Sequence, residues 1–131
     1  MSFNIRTRRI ADERGAAAVE FALIAALLLT LVFGIFEFGR VYSELEVFNS
    51  AAREGARVAA VRGSADEVAE ATTAAASPYT LDGTPVADKT CDDSTSGESV
   101  TVTWTQNFTI QVGLLPPLDK NIEIKGVMRC E

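Results

Sequence analysis

The sequence predicts an α+β protein with one long N-terminal helix, a short second helix and a small C-terminal antiparallel sheet. Three observations carry this reading. Residues 16–36 form an apolar run in which Glu20 is the only ionisable side chain. Beyond it, Phe38, Val41, Leu45, Phe48, Ala52, Gly55 and Ala59 recur at alternating spacings of three and four, the pattern of a helix with one apolar face. From Ser99 the period becomes two, in a segment rich in β-branched and aromatic residues, which reads as strand.

Residues 1–15 are a short polar leader in which Arg6, Arg8, Arg9 and Arg14 face only Asp12 and Glu13. The apolar run from Ala16 to Phe36 spans roughly 30 Å as a helix, the thickness of a bilayer's hydrocarbon core. Past it come Glu37, Glu44 and Glu46, with Arg40 alone opposing them. Basic residues stay on the cytoplasmic side, so the N-terminus is expected inside and the rest outside. A secretory signal peptide is a rival reading. It would have a core of about 7–15 apolar residues and a small-residue cleavage site after it. Here the core is longer, and Glu37-Phe38-Gly39-Arg40 follows it. A plain single-pass anchor explains length and orientation but gives Glu20 no role. A carboxylate about 6 Å inside the span is costly and calls for a partner; the plain alternative is a glutamate that snorkels or stays protonated.

The helix is expected to run from about Ala16 to Arg62, with residues 37–62 as its extracytoplasmic continuation and Gly34 and Gly39 as soft points. Gly63 reads as its stop. Ser64-Ala65-Asp66-Glu67 has the form of a capping box, opening a second helix that reaches about Ala76 and ends before Pro78. Val68 is its only large apolar residue. Residues 77–98 read as loop, with room for one short strand near Val86. Val100, Val102, Trp104, Phe108, Ile110 and Val112 share one strand face if the strand runs unbroken through Gln106, and Thr101, Thr103, Thr105 and Thr109 share the other. Gly113-Leu114-Leu115-Pro116-Pro117 breaks it. Asn121 to Cys130 forms the next strand, with Ile122, Ile124 and Met128 on one face. The two strands are expected to be antiparallel and to cover the C-terminal half of the long helix. Residues 63–131 are then a small exterior domain.

Twelve Lys+Arg against eighteen Asp+Glu give a net charge of −6. The leader holds four of the positive and two of the negative charges, so the remainder carries −8. That acidity argues against a nucleic-acid partner. There is no histidine, hence no histidine base for a nucleophile, and no glycine-rich phosphate loop follows a strand. The expectation is a protein that is not an enzyme and needs no cofactor or metal. Cys91 and Cys130 are the only cysteines. In an oxidising compartment they would close a loop of about 40 residues, which the chain-entropy model values at about 4 kcal/mol; the alternative is two free thiols. Ala51, Gly55 and Ala59 form one ridge of small residues, and Ala52, Ala56 and Ala60 another. Such ridges allow close helix approach, either to another subunit or within this one. Asp92, Asp93 and Glu98 read either as a calcium site or as a solvated acidic loop, and no spaced ligand motif accompanies them.

RGAAAVEF, residues 14–21, resembles a type IV prepilin processing site: a basic leader, a glycine, and a glutamate at the fifth position of the mature chain followed by phenylalanine. FGIFEFGRVYSELEVFNSAAREGARVAAV, residues 33–61, resembles the TadE-like minor pilins, or pseudopilins, of the tight-adherence (Flp) pilus system. The segments VTVTWTQNF and IEIKGVMRCE resemble that family's C-terminal strands. The resemblance implies that Gly15 and Ala16 flank the bond cut by a membrane prepilin peptidase, and that Glu20 is the assembly glutamate. It implies a low-abundance subunit that helps initiate or cap a thin pilus. Its partners would be other pilin and minor pilin subunits, the peptidase, the inner-membrane pilus assembly machinery and the lipid bilayer. It would reside in the bacterial cytoplasmic (inner) membrane, and in the extracellular pilus once assembled. The alternatives are an unprocessed single-pass membrane-anchored binding module and a pseudopilin of a secretion machine.

Overall fold

The computed structural model describes residues 6–92, 94–113 and 115–131, with side chains from Gly15 onward. Residues 1–5 of the leader, Asp93 of the acidic loop and Leu114 of the strand break lie outside the described residues. Helix α1 runs Arg6–Ala60, α2 Ala65–Ala75, strand β1 Val86–Ala87, β2 Ser99–Ile110 and β3 Leu118–Arg129.

Helix α1 starts ten residues before the expected Ala16. Nothing in 6–15 stops it: the segment has no proline, and four of its ten residues are Arg, a good helix former. It passes through Gly34 and Gly39 without a break. It ends at Ala60, two residues before the expected Arg62. The Arg62 N–H donates to the Ala59 carbonyl at 3.3 Å and the Gly63 N–H to the Val58 carbonyl at 3.0 Å, the paired bonds of a Schellman motif. The left-handed residue there is Arg62, at φ 69°, rather than Gly63. Directly after Gly63 the capping box forms in full, with Ser64 and Glu67 satisfying each other's backbone donors.

The sheet has the order β1-β2-β3, antiparallel throughout. Strands β2 and β3 pair without interruption from Ser99↔Arg129 to Ile110↔Leu118. That ladder is why β3 begins at Leu118, three residues before the expected Asn121. Val100, Val102, Trp104 and Phe108 are buried, and the threonine face is outward or half-covered. On β3, Ile124 is buried but Met128 is exposed. Met128 sits beside Arg57 and Val61, where α1 ends and its cover runs out.

The sheet and α2 pack on the C-terminal half of α1. Phe48 is central: its ring meets those of Tyr79, Trp104 and Phe108 at 5.9, 6.3 and 5.9 Å between centroids. A second cluster, toward the end of α1, joins Ala56, Ala59, Ala60, Val68, Val100 and Val102 to both cysteines. Phe38 does not join this face; it is 72% exposed. A stripe of period 3.5 drifts about 20° per heptad on a helix of 3.6 residues per turn. Over the three heptads back from Ala59, that drift rotates Phe38 off the covered side.

Both ridges of small residues are consumed within the subunit. Ala51, Ala52, Ala56, Ala59 and Ala60 are buried. A Cβ built on Gly55 would collide with the Thr72 hydroxyl of α2. One built on Gly126 of β3 would collide with the Ala52 carbonyl, so there two backbones touch. Gly126→Ala must therefore push strand from helix. Overpacking of that kind costs about 1–3 kcal/mol, and we expect the melting temperature, followed through Trp104 fluorescence, to fall by roughly 5–15 °C. An unchanged melting temperature would mean that this backbone approach is not tight.

Candidate functional site

From Gly15 to Phe36, α1 is largely uncovered. Val19, Phe21, Leu23, Ile24, Leu27 and Leu28 are each more than half exposed. The helix is long and apolar enough to cross a membrane. Gly15, Ala16 and Glu20 lie on this exposed stretch, with Ala16 and Glu20 one turn apart. Nothing lies within 4 Å of a Cβ built on Gly15. The fold thus has no use for glycine there, although glycine inside a helix costs about 1 kcal/mol relative to alanine. Glu20 has no hydrogen-bond or ion-pair partner among the described residues. It stands as a single carboxylate within an apolar surface.

Just past the apolar run, α1 is clasped by the end of the β2–β3 hairpin. The Arg40 guanidinium donates to both Glu37 oxygens, at 2.7 and 3.1 Å, to Glu44 at 3.2 Å and to the Thr109 carbonyl at 2.9 Å. The Gln111 N–H donates to Glu37 at 3.2 Å. The arginine hydrogen bonds, then the Gln111 N–H, hold the Glu37 carboxyl below the usual glutamate range, and Glu37 raises Arg40 in turn. The sequence sets Arg40 only against the nearby acids Glu37, Glu44 and Glu46. Its bond to Thr109 crosses 69 residues, and no periodicity encodes that.

At the other end, Cys91 and Cys130 form a disulfide, and the Glu131 N–H donates to the Ala60 carbonyl at 3.1 Å. The last strand is thereby tied to the end of α1. The acidic loop is occupied by its own chain. Asp92 accepts from the Ser94 hydroxyl and N–H and from Thr95, which lowers its pKa, and Glu98 pairs with Lys89 at 2.9 Å. Among the described residues no group of three potential metal ligands gathers.

A further pair escaped sequence reading. Gln106 is buried on the inward face of β2. It accepts from the Trp104 indole N–H at 3.2 Å and the Asp82 N–H at 3.1 Å, and donates to the Thr80 carbonyl and the Asp82 carboxylate. Asp82 also accepts from the Asn107 N–H at 2.9 Å. A buried polar side chain with every group engaged fixes its surroundings, here the 79–82 loop over the Phe48 cluster. The only signal was a glutamine at an inward strand position.

The Glu37–Arg40 clasp has a pH signature. A depressed carboxyl pKa stabilises above the unfolded glutamate value of about 4.3, and that stabilisation is lost as pH falls through the folded value. We therefore expect protection of the Gln111 amide against hydrogen exchange to fall as the solution is acidified below about pH 4. Glu37→Gln should flatten that dependence without moving Trp104 emission. The same acid-induced loss in the glutamine variant would assign it to another group.

The family described as TadE-like protein matches residues 15–57. The match opens on Gly15, crosses the apolar stretch and ends within the helical half beneath the sheet. No curated protein and no solved structure matches the chain.

Proposed function

From residues 15–57 as a TadE-like segment, we propose that this chain is a minor pilin, or pseudopilin, of a Tad (Flp)-type pilus. It is held in the cytoplasmic membrane by residues 16–36 with its N-terminus inside, and it acts by assembly rather than by catalysis. A prepilin peptidase cuts between Gly15 and Ala16. The observation that carries the reading is the conjunction at the start of the match: a glycine the fold does not require, followed after one turn by a carboxylate with no partner among the described residues. Cleavage would free an amine at Ala16. In a bundle of such helices, that amine on one subunit and Glu20 on the next could neutralise each other in low dielectric. Removing one partner of a buried pair costs about 3–5 kcal/mol. The same pair could also form within one helix, and only assembly of variants separates the two arrangements.

Two variants test this in the native host. Gly15→Leu places a branched side chain at the bond to be cut, where close backbone approach favours a residue without Cβ; only full-length protein is expected by intact mass. Mature chains beginning at Ala16 in that variant would remove the cleavage assignment. Glu20→Ala should insert with unchanged orientation, because the surrounding leucines each favour insertion by about 0.5 kcal/mol. It should be cleaved normally and then be absent from purified pili, or fail to support their formation. Wild-type pili containing the variant would leave Glu20 as a tolerated acid in an ordinary anchor, the arrangement of a membrane-tethered binding module.

A further inference from the structure

Turns at the surface of a folded domain are normally polar. The β2–β3 turn is not. Residues 110–118 read IQVGLLPPL and contain no charged side chain. Leu115 and Leu118 are 57% and 63% exposed. The loops at the opposite end of the domain differ sharply, since residues 88–98 alone carry Asp88, Lys89, Asp92, Asp93 and Glu98.

The position of this turn is fixed by three contacts that descend α1 in step. The Thr109 carbonyl meets Arg40 at 2.9 Å. The Gln111 N–H meets Glu37 at 3.2 Å. The Val112 Cγ1 lies 3.5 Å from a Cβ built on Gly34. Over these few residues the chain moves roughly 9 Å along the helix toward its apolar stretch. Val112 thus lies level with Gly34, inside the apolar run that ends at Phe36. On the helix at the same level, Ile35 and Phe36 are also exposed, and Phe38 and Tyr42 are exposed one to two turns further on.

We propose that the β2–β3 turn is a second membrane contact, with Val112, Leu115 and Leu118 seated at the boundary between headgroups and acyl chains beside the point where α1 leaves the bilayer. This rests on the reading of residues 16–36 as a membrane span. Lipid is the occupant because the turn is level with the end of that span, and a bilayer surrounding the helix at Gly34 surrounds the turn as well. The backbone suits the site. Pro116 and Pro117 have no N–H to leave unpaired in lipid, and the Leu115 N–H is already bonded to the Val112 carbonyl at 3.0 Å. Tyr42, about 9 Å beyond Phe36 along the helix, is of the side-chain type that favours the headgroup region. The head would then be fixed in orientation against the bilayer surface by two points instead of swinging on one.

The test uses full-length protein in phosphatidylethanolamine–phosphatidylglycerol vesicles, with the native disulfide intact. An environment-sensitive fluorophore is placed at Leu115→Cys and, in parallel, at Leu118→Cys. Leu27→Cys serves as the reference within the span, and Asp66→Cys, on α2, as the reference in water. The Leu115 and Leu118 labels should show blue-shifted emission, strong quenching by lipid bearing a nitroxide at a shallow acyl position, and loss of iodide quenching relative to Asp66. The proposal is overturned if lipid quenches the Leu27 label while iodide reaches both turn labels. It is equally overturned if neither quencher reaches them, since the turn then packs on protein. Should lipid bearing a nitroxide deep in the acyl chain fail to quench Leu27, which lies near the middle of the span, the span itself is wrong and the membrane contact falls with it, a result distinct from the other two.

Discussion

One unbroken helix serves two surroundings, and the remainder of the molecule is arranged around that demand. Between Ala16 and Phe36, α1 is apolar on all sides but for Glu20 and is largely uncovered, with Val112 approaching it at Gly34. Its C-terminal part is apolar on one side only and lies under the sheet and α2. A helix uniform around its circumference suits a uniform apolar medium, and one with a single stripe suits a boundary between core and water. The change from one pattern to the other occurs within about one turn, near Glu37. The clasp of Glu37, Arg40, Glu44 and the end of the hairpin sits at that change, so the covered part of the helix ends where the apolar part begins.

The sheet reaches the helix closely because α1 offers little side-chain volume there. Alanines and Gly55 line the contact, and Gly126 answers them from β3. Close approach alone would leave a thin core. Phe48 supplies bulk, and its aromatic contacts add about 0.5–1.5 kcal/mol each beyond buried area. Gln106 and Asp82 then hold the 79–82 loop over that cluster, and the disulfide closes the far end. Each device covers a part of the helix that the one before it leaves open.

Periodicity exposed most of this architecture. The switch from a helical period to a period of two located β2 because one face of each element is buried, and burial writes itself into residue choice. The capping box was legible because both of its partners lie within four residues. The features that stayed hidden share another property: their partners are distant in sequence, or their meaning depends on a neighbour's geometry. Arg40 looked like one half of a local ion pair until Thr109 came beside it. Arg62 adopts the left-handed conformation although Gly63 was the obvious candidate, because the bond pattern closing α1 places the turn one residue earlier. The small-residue ridges were ambiguous in principle, since packing against one's own sheet and against another subunit select the same residues. In the N-terminal region the signals were of another kind. Glu20 stood out because it violates local preference, and Gly15 because of the resemblance to a processing site; among the described residues the fold supplies no internal reason for either.

The disulfide has a consequence for mechanics. Nearly all of β1's successor loop, β2, the turn and β3 lie between Cys91 and Cys130. A tensile load drawn between the apolar helix and the C-terminus would bypass that covalent loop. Were the head to give way, about 38 residues could not pay out, which withholds roughly 130 Å of contour length. The extensible part is then limited to α1, α2 and the segment up to Cys91. A torn head would remain a short tether with its hairpin still enclosed, ready to close again over the same helix.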